Sequence, residues 1–188
     1  MKTHRLLPLL LASVLATIPL PAAAQTLTVD KANSRVEIAV KATVDSFVTK
    51  LAAYTADVRF DAATGQVTAA KLAFHFTDVK TGNEKRDREM HIWQQTEKFP
   101  DGDFTLKALQ PAADGKLTAR GGLTLHGVTR ELAFPVTVVR AGAVATVEGE
   151  AVVDTRLFGL PVIRKFALLK VDPLVTVRFH LTGTTAAP

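Results

Sequence analysis

Residues 78–100 read DVKTGNEKRDREMHIWQQTEKFP. Before and after this stretch, apolar residues alternate with polar ones; within it they do not. Charge crowds Glu84 to Glu89, and the large apolar side chains gather toward Trp93. Thr81-Gly-Asn-Glu84 fits the capping box, in which a hydroxyl and a carboxylate three residues on satisfy the first free N–H groups of a helix. The stretch predicts a helix over 82–95 with Arg86, Met90 and Trp93 along one side. So narrow a stripe suits a surface helix with one short apolar contact. In a chain otherwise built of strands, such a helix is expected to cover a barrel mouth or a sheet edge.

The flanking segments carry the period-two pattern of strands with one buried face. Upstream, Val36, Ile38, Val40, Ala42 and Val44 share one parity, then Tyr54, Ala56, Val58 and Phe60, then Leu72, Phe74 and Phe76. Asp61 to Gly65 reads as a hairpin loop. Downstream come Phe104, Leu106 and Ala108, a turn over 111–115, and Leu117, Ala119, Gly121, Leu123 and Leu125. After the tight turn His126-Gly127, the pattern returns at Leu132, Phe134, Val136 and Val138, with Pro135 on the opposite face suggesting an edge or a bulge. Ala143, Ala145, Val147, Ala151 and Val153 follow, Phe158 to Pro161 interrupts, and Val175 to Leu181 closes the pattern before a loose tail over 184–188. The fold class expected is all-β with one helix: an antiparallel barrel of about eight strands, its helix over an opening. A barrel of that size can be filled by its own side chains or hold one small ligand. The small residues Ala119, Gly121, Ala145, Gly149 and Ala151 would leave room in it, or they are simple packing positions.

Residues 1–24 have the form of a secretory signal: Lys2 and Arg5, an apolar run from Leu6 to Leu20, and a small-residue cleavage site at Ala22-Ala-Ala24. Residues 25–188 are then one domain, expected in the periplasm. Loss of Lys2 and Arg5 lowers the net charge from +5 to +3. That is too little, and too dispersed, to indicate nucleic acid. No second long apolar run follows, so no stable membrane insertion is expected. With no cysteine in the chain, disulfides and thiolate metal sites are excluded.

Catalytic chemistry is not written in the chain. No nucleophile elbow, phosphate loop or dinucleotide fingerprint occurs. His75, His91, His126 and His180 show no local metal-ligand spacing; among them, His91 could approach a ligand head group and His126 could hold its turn. No metal, cofactor or catalytic residue is expected. The segment Phe158 to Pro173 lacks alternation and is both apolar and basic. It reads as a longer loop at a barrel end, whose Phe166, Leu168 and Leu169 plug the opening, touch a membrane or dimer partner, or fold onto the core.

Four pieces in order resemble the YceI family of bacterial periplasmic proteins: Asp78 to Asp87, Lys98-Phe-Pro100, Leu123 to Arg130, and Asp154 to Leu160. The sequence departs from that family at Glu89-Met90 and Trp93-Gln-Gln-Thr96, where relatives carry a histidine and an aromatic pair. The resemblance implies a lipocalin-like barrel that binds polyisoprenoid-type lipids. It implies a periplasmic, non-enzymatic protein that transports or sequesters an isoprenoid-like or other long-chain amphiphilic lipid. The ligand-binding residues expected are Phe60, Phe74, Phe76, Met90, Trp93, Phe104, Leu106, Leu123, Phe134, Ala151 and Phe158. A homodimer is left open. The alternatives are a stress-associated secreted protein with a filled barrel that acts through a protein partner, and a lipid-modifying enzyme.

Overall fold

The computed structural model describes residues 24–112, 116–165 and 168–186. The expected leader up to Ala23, the tip of the 111–115 turn, Phe166 and the last two residues lie outside them. In chain order the strands are β1 (Ala24–Val29), β2 (Arg35–Val40), β3 (Phe47–Leu51), β4 (Thr55–Asp61), β5 (Val67–His75) and β6 (Val79–Lys80). The helix α1 (Glu84–Gln94) follows, and then β7 (Asp101–Pro111), β8 (Leu117–Leu125), β9 (Val128–Ala141) and β10 (Val144–Asp154). A 3-10 turn at Thr155–Phe158 leads to β11 (Arg164–Lys165), β12 (Leu169–Lys170) and β13 (Leu174–Thr185).

Eight strands close into an antiparallel ring in the order β1, β4, β5, β7, β8, β9, β10 and β13, because β1 pairs with β13 as well as with β4. Short turns enforce these neighbours. Asp61 accepts the N–H groups of Ala63 and Thr64 through Oδ1, at 3.0 and 2.7 Å, and Gly65 takes φ +70°. His126 and Gly127 both have positive φ, which a two-residue hairpin turn between twisted strands requires.

The ring is not uniform along its length. The last residues of β13 pair with β1, whereas Thr176 to His180 pair with β2 along the same edge. Between β1 and β2 the chain turns on Asp30, which accepts from the amides of Ala32 and Asn33. The β2–β3–β6 flap therefore widens the barrel at one end. The other end is shut: Leu27, Phe60 and Ala145 are buried together there, and Arg140 reaches Gln25 and Thr185.

Several strand readings change. The N-terminal strand β1 was not anticipated. Val44 was expected to face inward, but β2 ends at Val40 and Val44 is exposed. A bulge at Lys107 puts Ala108 opposite Arg120 and Leu109 opposite Ala119. One extra residue inverts the parity beyond it, so Leu109 and not Ala108 lines the interior. Thr184 and Thr185, expected in a loose tail, are paired with β1. Pro135 lies one residue beyond the last β9–β10 partner, Val136, where that side of β9 has become an edge.

Candidate functional site: a lidded barrel cavity

The interior is hollow, with a cavity of about 1180 Å³. Ligand sites are commonly about 300–1,000 Å³, so the volume suits a long ligand. Its wall is built from the inward parity of the strands, including Leu72 and Phe74 on β5, Phe104 and Leu106 on β7, Phe134 on β9 and Phe179 on β13. Glycines set where the rings lie. A Cβ on Gly121 would stand 2.5 Å from Phe104 Cζ, and one on Gly149 would stand 2.8 Å from Phe179 Cζ. Of the two readings open for these glycines, room in the barrel or a packing position, the structure has the second: a phenylalanine ring closes over each. The rings brace one another, with Phe104–Phe134 centroids at 5.3 Å and Phe134–Phe179 at 5.8 Å. The room in the middle therefore comes from the barrel's girth at the flared end and from rings held back against the strands.

Helix α1 lies at that flared end. Its N-cap is Asn83, whose side chain accepts from the Arg86 amide at 3.1 Å, and not Thr81 as the capping-box reading had it. Thr81 donates its hydroxyl and its amide to Asp87 Oδ1, at 2.5 and 2.9 Å. Burial tends to raise the Asp87 pKa, but these bonds from Thr81 outweigh it and hold the carboxyl below the usual range. The expected stripe is present. Arg86 stacks on Phe47 at 3.9 Å and lies 3.6 Å from Asp45; Met90 packs against the cluster of Val36, Leu51 and Val79; Trp93 donates Nε1–H to Pro161 O at 2.8 Å. Gln94, at 0% exposure, is buried under the helix end and donates to Phe99 O at 3.5 Å.

The rest of the rim comes from the segment after β10. Arg156 hydrogen-bonds Asp154 and keeps its carboxyl below the usual range. Arg130 Nε donates to Leu157 O at 2.9 Å and His126 Nδ1 to Phe158 O at 3.0 Å, so the 155–160 segment is tied across the top of β9. Further along, Thr43 joins the loop from β2 to the backbone of Leu168 and Lys170.

Phe74, Phe76, Met90, Trp93, Phe104, Leu106, Leu123, Phe134 and Ala151 all border this one cavity. Phe60 and Phe158 do not. Phe60 is fully buried in the closed end, where β1 draws the walls together. Phe158 packs behind the wall against Leu123 and Val153. Phe47, Gln94 and Leu109 border the cavity too and were not singled out. Phe47 lies in a segment without alternation, and Leu109 is visible only once the bulge is known. The adjacent glutamines at the helix end carry no signal that one of them is buried. Among the described residues, no group of His, Cys, Asp and Glu side chains could hold a metal ion, and no helix is long and apolar enough to cross a membrane.

A closed antiparallel barrel, shut at one end, hollow and apolar within, and roofed by a helix at the other, is a lipocalin-like architecture. The chain belongs to the YceI family: the YceI-like domain model matches residues 27–183. It is 30% identical over 149 residues to a UPF0312 protein of Shewanella baltica, covering 76% of each chain. Among solved structures, Burkholderia cenocepacia BcnA shares the fold with a TM-score of 0.72 at 24% identity, over 83% of this chain and 99% of that one. A polyisoprenoid binding domain from Saccharophagus degradans, implicated in plant cell wall breakdown, does so with a TM-score of 0.65 at 18% identity, over 89% and 100%.

Proposed function

We propose that this protein binds an isoprenoid-like or other long-chain amphiphilic lipid in the barrel, and transports or sequesters it in the periplasm without chemical change. The observation that carries the reading is the apolar cavity of about 1180 Å³ beneath α1. Burial of a tail stabilises a complex by roughly 0.8 kcal/mol per CH₂, whereas an exposed ion pair contributes at most about 1 kcal/mol. The tail would therefore set affinity, and the polar rim would set orientation. The family, and the fold shared with a polyisoprenoid binding domain, support the same class of ligand. The signal-like residues 1–24 support export and a mature domain over 25–188.

The test is organic extraction and mass spectrometry of protein isolated from its own cells, beside native mass spectrometry of the intact protein. A single long-chain lipid carried at up to one per barrel is expected. Protein that arrives empty and takes up no lipid would favour action through a protein partner. Recovery of an altered lipid after incubation would favour an enzyme.

A further inference from the structure

We infer that the mouth end of the barrel is a docking surface for an anionic lipid bilayer. The most exposed large hydrophobic side chains among the described residues are Leu168, Ile92 and Val44, at 79%, 78% and 73%. They come from three separate elements: the 161–173 segment, α1 and the β2–β3 loop. Single exposed apolar residues are ordinary on a protein surface; here the three extremes share one end. Thr43 hydrogen-bonds the backbone of Leu168 and Lys170, which puts Val44 beside Leu168. Asp45 lies 3.6 Å from Arg86, which ties that loop to α1. Ile92 and Leu168 also border the cavity, so they stand at its opening.

Charge selects the partner. Lys41, Lys85, Arg164 and Lys170 are exposed on these same elements. Acids share the rim: Asp45 and Glu84 lie within salt-bridge distance of Arg86 and Arg88, Asp87 accepts from Thr81, Asp172 accepts from the Leu174 amide, and Glu89 also borders the opening. With Asp45 and Glu84 set against Arg86 and Arg88, the exposed Lys41, Lys85, Arg164 and Lys170 beside these apolar side chains fit the interface of an anionic membrane, where shallow insertion and electrostatic attraction add. Such a pose turns the opening toward the acyl layer. If the cavity holds a lipid, as proposed above, the ligand could pass between bilayer and barrel with little exposure to water. The docking surface itself rests on the rim residues alone.

The test is co-sedimentation of the protein isolated from its own cells with vesicles of phosphatidylethanolamine and phosphatidylglycerol, against vesicles of phosphatidylcholine. Binding to the anionic vesicles, weakened by added salt, is expected. Ile92→Ser with Leu168→Ser should weaken it roughly tenfold. Lys85→Gln and Arg164→Gln should each weaken it about fivefold. Val139→Ser, an exposed apolar residue on the β9 strand near the closed end, should change nothing. No binding, equal binding to both vesicles, or binding indifferent to the rim variants overturns the inference. So does a dimer in sedimentation that the Ile92 and Leu168 substitutions dissolve without any vesicle association, which would assign the surface to a second copy. Lipid content is measured on the same samples. A loaded protein that ignores vesicles removes the docking surface and leaves the cavity reading; an empty protein that binds them does the reverse.

Discussion

Ala151→Phe tests whether the interior is hollow where the reading requires it. Ala151 faces inward from β10 opposite Val177, near the mouth. Val147, two inward positions deeper, still borders the cavity. Four residues of strand rise about 13 Å, so a ring at position 151 would cross the path of a tail reaching the lower chamber. Excluding on the order of four methylenes costs about 3 kcal/mol. At about 1.4 kcal/mol per tenfold, that weakens binding on the order of a hundredfold for long tails. Short tails that stop above the ring should bind nearly as before. Titration of a homologous series of fatty alcohols, by calorimetry, should show affinity rising with length in the native protein and levelling off early in the variant. Stability provides an independent reading. In a packed core an added phenylalanine commonly costs about 1–3 kcal/mol, whereas in an open chamber it buries apolar area at little strain. The melting temperature should therefore hold or rise. A folded variant with the native length dependence would refute the placement of the tail, and a sharp loss of stability would refute the hollow interior itself.

Trp93, hydrogen-bonded to Pro161 on the cavity rim, should change its emission saturably as lipid is added, and Trp93→Phe should abolish most of that signal with only a modest loss of affinity. Asn83→Ala removes the cap of α1 and should cost about 1 kcal/mol, read as faster amide exchange in the first turn of the helix. Acidification acts on the same turn. Because the Asp87 pKa is depressed in the folded protein, its contribution is present above the ordinary aspartate value of about 3.9 and is lost as pH falls through the lower folded value. The Thr81 amide should lose exchange protection there, and Asp87→Asn should show the loss at neutral pH. Gly121→Val would bring a side chain against Thr105 O and the Phe104 ring; it should destabilise by about 1–3 kcal/mol and, in the folded fraction, push that ring inward and lower uptake of long tails.

Alternation from Leu117 to Leu125 and from Leu132 to Val138 told the inward face of β8 and β9 without coordinates, because side-chain direction in a strand has period two. The helix was legible for the complementary reason: Glu84 to Glu89 cannot lie on either face of a half-buried strand, and Met90 with Trp93 gives one narrow apolar edge. The resemblance pieces named the family, since they occur in order along a chain that the YceI-like domain spans. What stayed hidden depends on partners distant in sequence. The bulge at Lys107 is a property of the pairing between β7 and β8, and no local pattern marks which residue is skipped. The same edge of β13 accepts β1 and then β2, and that split decides that one end is shut around Phe60 while the other flares beneath α1. Alternation states that Phe104, Phe134 and Phe179 point inward; it does not state whether opposing walls meet. Only the barrel's girth, with the rings laid back over Gly121 and Gly149, decides that the inward faces enclose a cavity and do not fill it.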